Sequence, residues 1–174
     1  GSVVRFVSGE DTNSVICGFT IMGGTGTLIS TYDLRLGGGV VFINSGGRIK
    51  SNKICYNQVE NENHAAGGGI GGLSDENNRL IVIENNDILN NTVTSGLMTA
   101  MGGGIYTSSN TRISNNLIRL NQCLSEFENS DGGGIEVESG FFVCDIIISG
   151  NEISQNSIVA GNEAKGSAIF LWET

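Results

Sequence analysis

Residues 83–91, Ile83-Glu84-Asn85-Asn86-Asp87-Ile88-Leu89-Asn90-Asn91, decide the fold, because their pattern Ile-x-x-Asn-x-Ile-x-x-Asn recurs along the chain. Copies begin at Ile49, Ile83, Ile113 and Ile148, and a weaker form, Ile16-x-x-Phe19-x-Ile21-x-x-Gly24, precedes them. The asparagines are Asn52 and Asn57, Asn86 and Asn91, Asn116 and Asn121, and Asn151 and Asn156. A second element, Gly-Gly-Gly followed by Val or Ile, stands at Gly37–Val40, Gly67–Ile70, Gly102–Ile105 and Gly132–Ile135. A degenerate copy, Gly166-Ser167-Ala168-Ile169, follows. The two elements alternate strictly, at steps of 30 to 35 residues. Units of this size cannot bury a core alone and stack into solenoids.

Isoleucine is β-branched and favours strands, whereas glycine triplets and paired asparagines are poor helix interiors. Two isoleucines five apart do not fit one alternating strand. They fit two short strands joined by a bend at Asn, a residue that tolerates the left-handed conformation. The position two after the second Asn is again apolar: Val59, Val93, Cys123 and Ile158. The Gly triplet opens a third strand, with Val40/Phe42, Ile70/Gly72, Ile105/Thr107, Ile135/Val137 and Ile169/Leu171 as inward pairs. The expected architecture is all-β: a parallel β-helix whose five coils span residues 14–174, each with three short strands. Coils about 4.8 Å apart would bury one column of Ile49, Ile83, Ile113 and Ile148 and another of Ile54, Ile88, Ile118 and Ile153. The asparagines would form ladders that exchange amide hydrogen bonds. Proline would delete a ladder donor, and the chain has none.

The 174 residues suit a single domain, 39% apolar and only 16% charged, which excludes disorder. No run approaches the roughly 18 apolar residues of a membrane helix. A net charge of −9 argues against nucleic acid as a partner.

The Gly-Gly-Gly-Ile and Ile-x-x-Asn-x-Ile-x-x-Asn elements resemble the right-handed parallel β-helix repeats of the pectate-lyase-like superfamily. The Gly-Gly-x-Ile element is also similar to repeats of polymorphic outer-membrane and other bacterial surface proteins. The resemblance covers residues 3–174 and implies a right-handed coil at an extracellular or bacterial-surface location. It does not choose among lyases, hydrolases, adhesins and stalks, all of which the fold hosts. Short connectors, about 9 to 11 residues between the second Asn and the next Gly triplet, favour a non-catalytic module: an adhesin, a stalk or a carbohydrate-contacting segment. The alternative is a polysaccharide lyase or glycoside hydrolase whose active residues lie outside this segment.

Glu136 and Glu138 alternate with inward Ile135 and Val137 and are therefore expected to face solvent on one flat sheet. Neighbouring coils place Tyr106 and Ser108, then Phe170 and Trp172, in the same two columns. Aromatic rings beside carboxylates form a plausible platform for a polysaccharide or cell-surface glycan. No Lys or Arg falls in these columns to serve as a lyase base. Calcium would need clustered carboxylates; Glu126, Glu128 and Asp131 share one connector, and no cofactor is expected. The single histidine, His64, lies in the polar stretch Glu60–His64 and reads as a solvated loop residue. Arg48-Ile49-Lys50 resembles a short polygalacturonase motif, but the accompanying Asn-Thr-Asp, Asp-Asp and Gly-His-Gly elements are absent. Cys17, Cys55, Cys123 and Cys144 occupy different phases of the repeat, so neither a disulfide nor a metal site is expected.

Val4 and Phe6 match the phase of Val40 and Phe42, and Ile169–Thr174 ends in that same phase. Residues 1–174 thus read as one segment of a longer β-helix. Cut coils would expose strand edges and apolar columns. Flanking coils of the parent chain would cover them, or copies would self-associate end to end.

Overall fold

A computed structural model describes residues 1–73, 79–139 and 144–173, and every regular element in it is a β-strand. Coil 1 holds β1 (Val4–Phe6), β2 (Val15–Cys17), β3 (Thr20–Ile21), β4 (Thr27–Ile29) and β5 (Leu34–Leu36). Coil 2 holds β6 (Val40–Ile43), β7 (Gly47–Lys50), β8 (Lys53–Cys55), β9 (Gln58–Asn61) and β10 (His64–Ala66). Coil 3 holds β11 (Ile70–Leu73), β12 (Ile81–Glu84), β13 (Asp87–Leu89), β14 (Thr92–Ser95) and β15 (Ala100–Met101). Coil 4 holds β16 (Ile105–Ser108), β17 (Thr111–Ser114), β18 (Leu117–Arg119), β19 (Gln122–Ser125) and β20 (Ser130–Asp131). Coil 5 holds β21 (Ile135–Ser139), β22 (Ile146–Ser149), β23 (Glu152–Ser154), β24 (Ser157–Ala160) and β25 (Ala164–Lys165), and β26 (Ile169–Glu173) starts the next turn.

Equivalent strands of successive coils pair in parallel, so the chain is a parallel β-solenoid of about five coils. Sheet I is β1-β6-β11-β16-β21-β26, sheet II β2-β7-β12-β17-β22 and sheet III β3-β8-β13-β18-β23. Sheet IV is β9-β14-β19-β24, and sheet V joins β4 to β5-β10-β15-β20-β25. A full coil therefore carries five strands rather than three. The supposed connectors before the Gly triplets contain two of them. Thr174, the last residue of the expected span, lies outside the described residues.

The isoleucine columns form as expected. Ile49, Ile83, Ile113 and Ile148 are in register, as are Ile54, Ile88, Ile118 and Ile153. All are buried except Ile148 and Ile153 of coil 5, which are partly buried against the same core. Burying each stabilises by about 1.5–3 kcal/mol. Volumes are traded between neighbouring columns. Phe6 and Phe42 stack with ring centroids 4.6 Å apart, and a side chain at Gly47 would strike them. One coil on, Gly72 leaves room for Ile81, whose Cδ1 lies 2.8 Å from where a Gly72 Cβ would sit.

The asparagine ladders are continuous, buried through coils 2 to 4 and half-buried in coil 5. Asn86 Nδ2 donates to Asn116 Oδ1 at 3.0 Å and to the Ile49 carbonyl of the preceding coil at 2.9 Å. Its own Oδ1 accepts from the Asn52 amide at 3.0 Å. Asn91, between Asn57 and Asn121, repeats the arrangement. The left-handed residue of each bend is not the ladder Asn but the residue before it. Ser51, Tyr56, Asn85, Asn90, Asn115, Leu120 and Gln155 have φ between 53° and 57°. That residue turns the chain, and the Asn after it places its amide inside the bend.

At the N-terminal end β1, β2, β3 and β9 are edge strands of their sheets, and sheet V alone is extended. Strand β4 pairs antiparallel with β5, Ile29 opposite Leu34, and covers that edge of sheet V. Among the described residues, no helix is long and apolar enough to cross a membrane. No two cysteines form a disulfide: Cys55 and Cys123 are buried, while Cys17 is exposed.

Candidate functional site

Sheets V and I meet at the Gly triplets. Gly37, Gly67, Gly102, Gly132 and Gly166 each adopt a φ between 61° and 65°, and the chain reverses there from one sheet into the other. The second glycine approaches the next coil closely: a Cβ on Gly103 would lie 2.5 Å from the Gly133 carbonyl oxygen. Side chains on the outer faces of the two sheets then converge in a groove parallel to the solenoid axis.

Two columns floor it. The residue before each triplet supplies one: Leu36, Ala66, Met101, Asp131 and Lys165. Sheet I supplies the other: Val41, Gly71, Tyr106, Glu136 and Phe170. Glu138 and Trp172 are paired in the adjoining column. Over the first coils the angle is filled by Leu34, Leu36, Val41, Ala66 and Tyr106, packed with Ile29, Ile43, Leu73 and Met101. Beyond Tyr106 the columns turn acidic and aromatic, and the groove opens to a cavity of about 640 Å³.

All five residues expected to contact ligand, Tyr106, Glu136, Glu138, Phe170 and Trp172, line this cavity. Their surroundings differ from the flat, solvated sheet expected of them. Glu136 is 0% exposed and Tyr106 is 3% exposed, because sheet V folds back over sheet I. Trp172, at 49%, remains open. His64 is not a loop residue; it starts β10, half-buried, stacked on Leu34 at the groove wall. Asp131 likewise lies in strand β20 and is buried rather than in a connector. Sequence reasoning missed Met101, Lys165 and Tyr32 as lining residues. The column before the Gly triplet would have found the first two, since its spacing is as regular as the triplet itself.

Tyr106 Oη donates to Glu138 Oε2 at 2.6 Å. Both carboxyl oxygens of Glu136, and Oδ1 of Asp131, are buried without a hydrogen-bond partner. Burial, reinforced by the negative charges of Asp131 and Glu138, pushes the Glu136 carboxyl well above the usual carboxylate range; the Gly102 amide opposes this weakly. Asp131 is also raised, by burial first, with Lys165 pulling the other way. Tyr106 is held neutral by burial and by the Glu138 charge beside it. Lys165 Nζ is engaged by Glu163 Oε2 at 2.8 Å and lies 5.9 Å from the centre of the Phe170 ring. Cys123, in the core behind β20, is raised by burial and by the Glu136 charge, which keeps it a thiol.

Among the described residues, no three His, Cys, Asp or Glu side chains converge as metal ligands would. Arg48, half-buried, pairs with Glu84 at 2.7 Å across sheet II. Comparison of the chain with models of protein families, with curated proteins and with solved structures finds no match in any of the three.

Proposed function

We propose that this chain is a non-catalytic, carbohydrate-contacting β-helix module, secreted or displayed at a bacterial cell surface, whose glycan lies along the groove between sheets I and V. One observation carries the reading. Tyr106, Phe170 and Trp172 line a single open cavity together with Glu138, so aromatic faces and hydrogen-bonding groups meet in one elongated site. Aromatic rings stack on the apolar faces of sugars, and a small number of placed polar groups then fixes orientation. The resemblance of the repeats to right-handed β-helices of the pectate-lyase-like superfamily and to bacterial surface proteins supports the same class. Trp172 is the sole tryptophan, so its fluorescence reports on the groove directly. Titration with a panel of neutral, acidic and amino oligosaccharides should shift that emission for at least one class, without release of new reducing ends. Trp172→Ala should weaken the same binding, measured by calorimetry, about tenfold. An unchanged affinity would remove the groove from the reading, and depolymerisation would replace a module with an enzyme.

A further inference from the structure

We infer that the acidic end of the groove is a subsite for a positively charged amine on the glycan, so that the preferred ligand is an amino sugar whose nitrogen is not acetylated. The inference rests on the carbohydrate reading above and narrows it. Three buried oxygens, both of Glu136 and Oδ1 of Asp131, have no hydrogen-bond partner of normal geometry in the folded chain, and the Gly102 amide near Glu136 is spent on the Asp131 carbonyl at 2.9 Å. Buried polar atoms left in this state are costly, and a proton-donating ligand removes the cost. Glu136 is fully buried yet belongs to the cavity lining, so its carboxyl lies just beneath the groove's floor.

The charge of the site selects among sugars. Asp131, Glu136 and Glu138 face the cavity, and the one cation among them, Lys165, is held by Glu163. An acidic sugar would be repelled here, more so by a chain of net charge −9. A metal cation is disfavoured because no three of these groups converge. An ammonium group needs no such convergence: it offers three N–H donors and is attracted to ring faces. Within the chain itself, the Lys165 ammonium lies 5.9 Å from the centre of the Phe170 ring. Trp172, which remains open, supplies a further ring within the same cavity.

Binding carries a proton balance. Where Glu136 is protonated in the free protein, the arriving ammonium ion stabilises its carboxylate. Glu136–COOH and R–NH3⁺ then become a Glu136–COO⁻/R–NH3⁺ pair, and one proton leaves to the buffer. Affinity should therefore rise with pH through the range in which Glu136 titrates. Asp131 on β20, Glu138 on β21, Tyr106 on β16, Lys165 on β25, His64 on β10 and Tyr32 line the same cavity, and Cys123 on β19 lies on its core side; these are the other titratable groups around it.

The test is isothermal titration of the whole chain with a β-linked glucosamine tetramer and with its fully N-acetylated counterpart, each in two buffers of different protonation enthalpy. The free amine should bind about tenfold or more tightly than the acetylated sugar. It alone should release protons. Glu136→Gln keeps the shape of the side chain and should abolish the proton release and shrink the preference; Asp131→Asn should shrink the preference as well. Melting curves confirm that both variants fold, and the comparison of the two sugars on the unaltered chain decides the matter even if they do not. Equal affinity for the two tetramers would overturn the ammonium subsite while leaving a glycan groove. Failure of both to bind, alongside neutral and acidic oligosaccharides, would overturn the groove and the subsite together.

Discussion

Asn86 shows at the scale of one residue why the repeat is so strict. Its amide serves three coils at once: it donates to Ile49 of the preceding coil, to the Glu84 carbonyl of its own and to Asn116 of the next. Asn86→Ala and Asn116→Ala should each destabilise by about 1–3 kcal/mol for every group orphaned, read from urea denaturation midpoints. The ladders are legible in the sequence because eight asparagines share one spacing. The neighbouring left-handed position is not, because Ser51, Tyr56, Leu120 and Gln155 have no common chemistry and simply tolerate the strain. Glu136 supplies a second prediction at this scale. Its carboxyl is raised in the folded chain by burial and by Asp131 and Glu138. The native state then holds a proton that the unfolded chain has lost, so stability is greatest below the unfolded pKa of about 4.3 and declines as pH rises through the folded value. Melting temperature against pH should show this decline, and Glu136→Gln should flatten it.

Among the elements, the strands of sheet V were the hardest to foresee. Ala65-Ala66, Ala100-Met101 and Ser130-Asp131 contain no β-branched residue, so local propensity does not mark them. They are strands because small side chains pack against Val59, Val93 and Cys123 of sheet IV and because their neighbours above and below are strands. The Gly triplets, by contrast, announce themselves, though as turns between sheets rather than as the opening of one. Gly103→Ala would set a methyl 2.5 Å from the Gly133 carbonyl and should cost about 2–3 kcal/mol or more by forcing two coils apart. Gly96→Ala, whose Cβ would come no closer than 3.4 Å to another heavy atom, is the control and should stay within about 0.5 kcal/mol. Thermal unfolding of the two variants side by side separates packing at the sheet junction from a general intolerance of added methyls.

For the whole molecule, the stacking of coils follows from sequence periodicity, but the groove does not. It depends on the angle at which sheet V returns over sheet I, and that angle turns an apparent surface strip into a site with a buried carboxyl. The ends are governed by the same stacking. At the last coil, Leu171 is 64% exposed and Val159 53%, beside strand edges that no described residue pairs. Each copy carries a net charge of −9, which holds copies apart at low ionic strength and is screened beyond about 8 Å at physiological salt. Static light scattering across a salt series should show this chain associating as salt rises. A monomer throughout would overturn end-to-end association.

The ladders also have a direction. Every side-chain bond within them runs the same way, Asn52 to Asn86 to Asn116 to Asn151, and Asn57 to Asn91 to Asn121 to Asn156. Coil 1 starts this arrow with backbone alone: the amides of Phe19 and Gly24 donate to Oδ1 of Asn52 and Asn57, and neither residue has a side-chain carbonyl that could accept such a bond in turn. A second copy docking its first coil onto the last coil of another would offer Asn151 and Asn156 nothing to continue with. Any chain of copies would carry a seam at each junction, held by strand edges and apolar contact alone. Dilution would part it there, copy by copy, long before a coil came loose within any one of them.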